Sequence, residues 1–284
     1  MTGGPGAEGL LLVDKPAGVT SHDVVDVVRH SLGTRKVGHA GTLDPMATGL
    51  LILGAGRATR LLRFLGDLPK TYEGTIRLGV ETTTLDAEGE VVREATVSVT
   101  SDEVADAMRG LEGESLQRPP AYSAVKVGGR KLYEAARAGE ELEAEPRPIR
   151  VDAFELRSYE APDATFRVVC SGGTYVRVLA ADVGAALSCG AHLGSLRRTA
   201  IGGFRVEDAA APEDATPRSI ETAVAHLPRL DLDPEEARAA SHGRPLGPAG
   251  IAGPYGVFDL DGRLLGVYED EGPRARPQVI LAPA

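Results

Sequence analysis

The 284-residue sequence predicts an α+β fold in which a large mixed domain precedes a small β domain. Residues 71–78 and 165–170 alternate apolar and polar side chains, with the period of two that is typical of half-buried strands. Residues 21–32 instead place valines and leucines along one face of a helix. Near Pro228 the composition changes to short apolar segments separated by Gly and Pro. The predicted domains are residues 1–228 and 229–284.

Further strands and helices follow from local signals along the chain. Residues 10–13 form a short apolar run before a Pro- and Gly-containing turn, which indicates a buried strand. The next helix takes Ser21 as its N-cap and ends at Gly33, because glycine readily adopts the left-handed backbone of a C-cap. The remaining predictions are strands at 50–53, 71–78 and 165–170, and helices at 58–65, 100–109 (with a Thr100–Glu103 capping box) and 175–187.

Composition restricts the class of protein. A hydrophobic fraction of 42% and a charged fraction of 25% are ordinary for a globular protein and exclude wholesale disorder. No apolar run approaches the length that crosses a bilayer, and residues 1–9 lack the basic and apolar regions of a signal peptide. We therefore expect a cytoplasmic protein with no membrane association. Cys170 and Cys189 are too few for a disulfide framework, and we expect reduced, structural thiols.

Charge is unevenly distributed along a chain of net charge −10. Residues 29–77 contain eight Lys and Arg against three acids, a local charge of +5, whereas residues 81–114 contain ten acids against two arginines, a local charge of −8. A basic patch on an acidic protein can hold phosphates while the remaining surface repels polyanions. The charge pattern taken alone favours a simpler interpretation, in which these arginines form a solvated face or surface ion pairs.

Asp44 lies in a glycine-rich segment, residues 38–49. Glycine permits backbone angles that are closed to other residues, and Pro45 restrains the backbone on the C-terminal side of the aspartate. A carboxylate on such a stiff loop suits a nucleophile or a general base. An aspartate before proline also commonly closes a turn, and the loop taken alone favours that simpler interpretation.

Three other segments carry candidate functional side chains, and each has a structural alternative. Tyr72 shares a strand face with apolar residues, which is also typical of a core tyrosine. Arg177 follows a Gly–Gly turn and could equally be a surface cation. Leu196 is apolar packing with two arginines beside it. His39 follows a glycine and has no partners at metal-ligand spacing, so we expect no metal site there.

Residues 50–59 contain a partial dinucleotide fingerprint, in which an apolar strand runs into two glycines. Thr59 replaces the third glycine, and no clean following strand with a terminal acid appears at the usual distance. A nicotinamide-dependent oxidoreductase is therefore a weak alternative, which a flat calorimetric titration with the cofactor would exclude.

Taken together, five motifs in this order closely resemble the bacterial TruB family, the tRNA pseudouridine-55 synthases. The resemblance spans residues 9–208. A chance match of one motif would not place all five motifs in the same order over such a length. The motifs are Asp14-Lys15-Pro16-Ala17-Gly18-Val19-Thr20-Ser21, Gly38-His39-Ala40-Gly41-Thr42-Leu43-Asp44-Pro45, Lys70-Thr71-Tyr72, Cys170-Ser171-Gly172-Gly173-Thr174-Tyr175-Val176-Arg177 and Leu196-Arg197-Arg198.

The resemblance implies a pseudouridine-synthase-type domain with a central mixed, mainly antiparallel sheet flanked by helices, followed by a small PUA-like β domain. It also implies an isomerase that detaches a flipped T-loop uracil of tRNA from its ribose and rejoins it through carbon. No redox change is needed, so we expect no cofactor, no metal and no obligate protein partner. By the same resemblance Asp44 acts on the ribose, either as nucleophile at the anomeric carbon or as base at its neighbour.

The resemblance assigns further roles around Asp44. Arg177 would pair with Asp44 and keep it ionised, since an adjacent cation lowers a carboxyl pKa. Tyr72 would stack on the extruded uracil, and its hydroxyl could take part in proton removal. Tyr175 and Leu196 would line the pocket, while His39 would occupy the space that the target nucleotide vacates. Base extrusion costs a few kcal/mol, which stacking of roughly 1–3 kcal/mol per base can partly offset.

RNA contacts are expected outside the pocket as well. Arg60 and Arg198 are expected to contact substrate. Residues 117–148 match the RNA-gripping insertion of the family, with Arg130 and Lys131 as candidate contacts, although a mobile surface loop explains them as well. The C-terminal domain carries six arginines against nine acids, and this acidity puts its own RNA contact in doubt. Two further alternatives are an RNA chaperone and a related synthase that acts on another RNA.

Overall fold

The computed structural model describes residues 7–123, 125–140 and 142–281. The α-helices are α1 (Ser21–Leu32), α2 (Ser101–Arg109), α3 (Leu132–Arg137), α4 (Val176–Ala186) and α5 (Pro234–Ser241). The strands, β1 to β17 in chain order, are Gly9–Lys15, Val37–Ala40, Thr48–Ala55, Lys70–Leu78, Val80–Thr82, Val91–Glu94, Gly113–Gln117, Lys126–Val127, Arg130–Lys131, Arg147–Glu160, Asp163–Cys170, Ala191–Ile201, Phe204–Arg205, Arg229–Asp231, Tyr255–Phe258, Leu264–Glu271 and Arg274–Ile280.

A nine-stranded sheet forms the centre of the larger part of the molecule. Its order is β1-β3-β12-β4-β11-β10-β7, with β2 paired to β3 and β13 paired to β12. Strands β3 and β12 are parallel, and the other neighbours in this order are antiparallel. The expectation of a mixed, mainly antiparallel sheet is therefore confirmed.

Helices cover the sheet at the positions that their apolar faces require. Helix α1 buries Val24, Val25 and Val28 against β1 and β3. Helices α2 and α4 pack on the strands at the other end of the sheet, where Met108 and Leu179 belong to the same core as Tyr72. Burial of each such aliphatic side chain contributes about 1.5–3 kcal/mol, so these faces fix how the strands that carry the candidate residues are placed.

Three local predictions differ from the structure. Thr20 rather than Ser21 caps α1, because its hydroxyl accepts from the Asp23 N–H while the Asp23 carboxylate accepts from the Thr20 N–H. Residues 58–65 form two 3-10 turns instead of one α-helix, since the segment is short and lies between two glycines. The glycine-rich loop begins later than expected, because Val37–Ala40 pairs with β3 as a strand.

The C-terminal part contains a sheet of its own, in the order β14-β15-β16-β17, with α5 packed on it. Phe258 and Leu264 of this sheet also pack in one core cluster with Leu10 and Leu50 of the large sheet.

Three arginines of the 3-10 segment donate hydrogen bonds to backbone carbonyl oxygens of residues 278–281. The arginines are three residues apart, and because a 3-10 helix has three residues per turn, this spacing brings them to one side. Arg57, Arg60 and Arg63 bond the oxygens of Leu281, Ile280 and Gln278 at 2.9, 2.8 and 3.3 Å.

The insertion expected at residues 117–148 contains the hairpin β8–β9 and helix α3. Leu132 and Ala135 of α3 are buried, so this helix is packed rather than free in solvent. Within the described ranges, none of the helices combines the length and the apolar character needed to span a bilayer.

Candidate active site

Asp44 lies in the loop that joins β2 to β3, and two glycines shape this loop. Gly41 and Gly49 have φ values of +87° and +100°, in the left-handed region that favours glycine. A Cβ on Gly49 would lie 2.3 Å from the carbonyl oxygen of Arg198. Glycine at position 49 therefore allows β3 and β12 to approach each other directly after the loop.

Buried side chains attach the Asp44 loop to the segment before α1. The Lys15 side chain is buried, and its ammonium donates to the carbonyl oxygens of Val19 and Pro45 at 2.6 and 3.2 Å. The Ser21 hydroxyl accepts from the Leu43 N–H at 2.9 Å and donates to the Leu43 carbonyl at 3.1 Å. Burial lowers the pKa of Lys15. The residues on both sides of Asp44 are thus held, as a positioned carboxylate requires.

Arg177 meets the Asp44 carboxylate from the first turn of α4. Its Nη2 lies 3.6 Å from Oδ2 of Asp44, and its Nη1 lies 3.3 Å from Oδ2 of Asp86. The side chains of Arg177 and Asp86 are only 6% and 3% exposed, whereas that of Asp44 is 38% exposed. One buried guanidinium therefore joins a buried carboxylate to one that faces solvent.

The pKa of Asp44 is raised above its ordinary value. Burial is the largest cause, and the negative charge of Asp86 adds to it, whereas the positive charges of Arg177 and Lys15 oppose it. Arg177 lowers this pKa, as the resemblance implied, but burial raises it by more and sets the net direction. The loss of hydration outweighs the ion pair.

Asp86 was missed by the sequence interpretation, which counted it only within the acidic segment 81–114. Its Oδ1 accepts from the Thr84 hydroxyl at 2.5 Å and from the Glu88 N–H at 3.1 Å, so the residue is fixed in the turn between β5 and β6. A single sequence carries no local signal for it, because it meets Arg177 across 91 positions of chain.

Tyr72 and Arg198 face each other on neighbouring strands. They are direct partners in the antiparallel pair β4–β12, and the Arg198 guanidinium carbon lies 6.0 Å from the centre of the Tyr72 ring. Tyr72 is 6% exposed within the main core, and burial raises the pKa of its hydroxyl. Arg198 is buried and donates to the carbonyl oxygens of Leu50 and Gly41 at 2.7 and 3.1 Å. These donors of Arg198 are thus used by the protein's own backbone.

Tyr175 and Leu196 lie on two further sides of the same region. The Tyr175 ring centre is 5.9 Å from the guanidinium carbon of Arg177. Leu196 is paired with Gly74, two positions from Tyr72 on β4, and packs against the main core. An open cavity of about 310 Å³ lies between the end of the Asp44 loop and Leu196, and its lining does not include Asp44, Tyr72 or Arg177. It is lined by Met46, Thr48, Glu73, Gly74, Thr75, Ser195, Leu196 and Arg197.

His39 occupies strand β2, directly before the Asp44 loop. It is half-buried, and burial together with the positive charge of Arg198 lowers its pKa. Among the residues that the structure describes, no three His, Cys, Asp or Glu side chains come together to hold a metal ion.

The other expected cations lie away from the Arg177–Asp44 pair. Arg60 donates to the Ile280 carbonyl, so a phosphate would compete with that bond. Arg130 and Lys131 are on β9, where they form exposed ion pairs with Glu140 and Glu134. Exposed pairs of this kind contribute less than about 1 kcal/mol, so RNA phosphates can replace them at little cost.

The partial dinucleotide fingerprint does not form a βαβ unit. Strand β3 is followed by a 3-10 turn rather than an α-helix, and it is antiparallel to both β1 and β2. A dinucleotide site of the expected kind needs parallel strands and a helix N-terminus at the phosphates. The oxidoreductase alternative loses its structural support.

Comparisons with known families agree with this geometry. The N-terminal domain of TruB family pseudouridylate synthase matches residues 29–176, and the tRNA pseudouridylate synthase B C-terminal domain matches residues 177–223. The C-terminal domain of tRNA pseudouridine synthase II matches residues 227–282. Between them these matches include Asp44, Arg177 and both strands that carry Tyr72 and Leu196.

Several relatives and solved structures resemble the whole chain. The tRNA pseudouridine synthase B of Mycobacterium sp. (strain KMS) is 47% identical over 295 residues, covering 100% of this chain and 99% of the relative. That of Mycobacterium tuberculosis (strain ATCC 25618 / H37Rv) is 46% identical, with coverages of 97% and 96%. A chain of an archaeal box H/ACA sRNP Nop10–Cbf5 complex is 25% identical, with a TM-score of 0.74 and coverages of 97% and 86%. The chain therefore belongs to the TruB family of pseudouridylate synthases.

Proposed function

We propose that this protein is a tRNA pseudouridine-55 synthase, which isomerises the T-loop uridine of tRNA to pseudouridine. Relatives that match the chain end to end are named tRNA pseudouridine synthase B. The observation that carries the proposal is the half-exposed Asp44 carboxylate held 3.6 Å from a buried arginine. The reaction breaks the N1–C1′ bond, forms a C5–C1′ bond, releases the proton of C5 and places one on N1, so no oxidant or reductant is consumed.

Asp44 acts on the ribose in this proposal. An ionised carboxylate can attack the anomeric carbon as a nucleophile or remove a proton from the neighbouring carbon as a base. Arg177 orients the carboxylate and counters the penalty of its burial, since an opposite charge favours the ionised form. Asp86 in turn fixes Arg177 from the buried side.

The remaining pocket residues receive the flipped base. Tyr72 stacks on the uracil and its hydroxyl is a candidate for proton removal, although its deep burial also fits a purely structural ring. Tyr175 and Leu196 contact the nucleoside from other sides, and His39 occupies the space vacated in the RNA. Stacking of about 1–3 kcal/mol per base offsets part of the cost of extrusion.

RNA is held outside the pocket by cations of the insertion. Arg130 and Lys131 are exposed on the hairpin and can exchange their carboxylate partners for phosphates. Arg60 is a weaker candidate because it already bonds the C-terminal strand, and Arg198 supports the Asp44 loop rather than reaching solvent.

We further propose that residues 1–228 and 229–284 are the two domains, with the insertion at 117–148 in the first. A separate four-stranded sheet supports the boundary. The enzyme would act in the cytoplasm, where its tRNA substrate is found, and without an obligate protein partner.

The test uses the purified chain with an unmodified tRNA transcript. Mass-spectrometric mapping is expected to find pseudouridine at the T-loop uridine with wild-type protein, without added metal, cofactor or partner. Asp44→Asn is expected to bind the transcript and form no product, while the matched control Asp102→Asn, an exposed change on α2, retains full activity. Full activity of Asp44→Asn would refute the assigned role.

A second candidate is a synthase directed at another RNA, which the likeness to the archaeal Cbf5 chain favours. Mapping of RNA from cells that lack the protein distinguishes the two. Loss of pseudouridine from the tRNA T-loop supports the first candidate, and its persistence there with loss elsewhere supports the second.

A further inference from the structure

Gln117 is a buried amide in an otherwise exposed strand. It is the last residue of β7, whose four preceding residues are exposed, and it is itself 5% exposed. Its Oε1 accepts from the Tyr175 N–H at 2.8 Å, and its Nε2 donates to the Tyr175 carbonyl at 3.2 Å. One side chain therefore binds both backbone polar groups of the residue that precedes α4, and the Tyr175 carbonyl also accepts from the N–H groups of Val178 and Leu179 at 3.1 and 3.3 Å.

This contact adds to the backbone bonds that fix the start of α4. Tyr175 is the N-cap residue of α4 and contributes no side-chain cap of its own within the described structure. The helix begins at Val176, so Arg177 lies in its first turn. Because helix N-termini have unsatisfied N–H groups and fray easily, an external amide that grips the N-cap backbone holds the whole first turn in place.

A second contact ties the same part of the insertion to Arg177. The carbonyl oxygen of Tyr122 accepts from Nη2 of Arg177 at 2.7 Å, and this same nitrogen is the one 3.6 Å from Asp44. The next carbonyl, that of Ser123, accepts from the Tyr133 N–H at 3.1 Å in the first turn of α3. We call residues 117–123 the root segment of the insertion.

We propose that the root segment positions the Arg177–Asp44 pair, with Gln117 as a positioning residue for the isomerisation. Gln117 fixes the backbone from which Arg177 projects, and the Tyr122 carbonyl fixes the direction of its guanidinium. Since Ser123 also bonds the turn that follows Arg130 and Lys131, RNA held by these cations acts on the same root segment. The inference rests on the proposed function, because it assigns a further residue to that reaction.

The decisive variant is Gln117→Met, which keeps the length and burial of the side chain and removes both hydrogen bonds. We expect the single-turnover rate constant on a tRNA transcript to fall about 10- to 100-fold, as misplacement of about 1 Å can do. Affinity for tRNA is expected to stay within about 2-fold. The acid limb of the pH–rate profile is expected to move to higher pH, because a loosened Arg177 lowers the pKa of Asp44 less.

Two further variants keep the test sharp. Leu116→Ala, an exposed neighbour on β7, is the matched control and is expected to change neither the rate nor the pH profile. Gln117→Asn keeps a neutral amide and shortens the side chain by one methylene, so it is expected to fold, to lose at least one of the two hydrogen bonds and still to show the slower rate. If Gln117→Met does not fold, the rate of Gln117→Asn decides whether Gln117 is a positioning residue.

The outcomes separate this inference from the proposed function. A slower rate with a displaced acid limb supports positioning. Lower thermal stability with an unchanged rate constant per folded molecule and an unchanged pH profile would show that Gln117 is only structural. If the wild-type protein forms no pseudouridine in tRNA, the proposed function fails, and the positioning inference falls with it.

Discussion

Asp86→Asn tests whether the buried Asp86 carboxylate controls the half-exposed Asp44 carboxylate. The substitution keeps the shape of the side chain and an oxygen for the Thr84 hydroxyl and the Glu88 N–H. It removes the charge that lies 3.3 Å from Nη1 of Arg177. Arg177 keeps its bond to the Tyr122 carbonyl and its neighbour Asp44, so it is expected to remain in the site.

The expected loss of stability follows from the burial of both partners. A hydrogen bond between charged groups contributes roughly 1.5–3 kcal/mol to the free energy of unfolding, and solvent screens this pair little. At about 2–4 °C per kcal/mol for a chain of this size, Tm is expected to fall by roughly 3–12 °C. Calorimetry or circular dichroism measures this change.

The expected effect on the pH–rate profile has a definite sign. The negative charge of Asp86 raises the pKa of Asp44, and Arg177 lowers it. Without the negative charge of Asp86, the pKa of Asp44 is no longer raised by it. Arg177 then has Asp44 as its remaining carboxylate neighbour of the two and still lowers the pKa of Asp44. The pKa of Asp44 is therefore expected to fall, which moves the acid limb of the single-turnover rate to lower pH.

Arg177→Met is the comparison that gives the opposite displacement, to higher pH. An Asp86→Asn variant whose Tm falls while its acid limb stays in place would refute the electrostatic link between the two carboxylates. A displacement to higher pH would show instead that Arg177 leaves the site when Asp86 is neutralised.

Three further predictions concern the pocket and the RNA surface. Asp44→Asn is expected to form no product, since it removes the reacting carboxylate. Because burial raises the pKa of this carboxyl in the folded state, removing the charge is expected to raise Tm at neutral pH, a gain that vanishes below the ordinary pKa of 3.8. A Tm that falls equally at all pH values would contradict this. Tyr72→Leu is expected to keep tRNA affinity and slow single turnover roughly 5- to 150-fold through lost stacking, whereas an unchanged rate would make the ring purely structural. Affinity for tRNA is expected to fall steeply as salt rises, since phosphate contacts release counterions; a flat dependence would contradict binding through the basic residues.

Much of the fold was accessible from local sequence signals. Alternating residues predicted the strands β4 and β11, and a capping box predicted the start of α2. Each signal depends only on neighbouring residues, and all three elements are present. The predictions that differ lie where tertiary contacts override local preference. Val37–Ala40 became a strand because β3 offers it a partner, which a glycine-rich sequence does not indicate.

The candidate site shows the same division. Asp44 and Arg177 were predicted as a pair and lie 3.6 Å apart. Asp86 and Gln117 were not predicted, because their partners are distant in sequence and an aspartate or glutamine in an exposed, polar segment gives no sign of burial. Arg60 was expected to contact substrate, and its bond to the Ile280 carbonyl of the C-terminal sheet was visible only in the tertiary structure.

The sequence by itself determined the order of the elements, the family and the presence of a carboxylate on a glycine-shaped loop, because these depend on residue type and near neighbours. Only the tertiary structure decided the electrostatic state of that carboxylate. Desolvation depends on every atom packed around a group, and it outweighs the single cation that the sequence had assigned to Asp44.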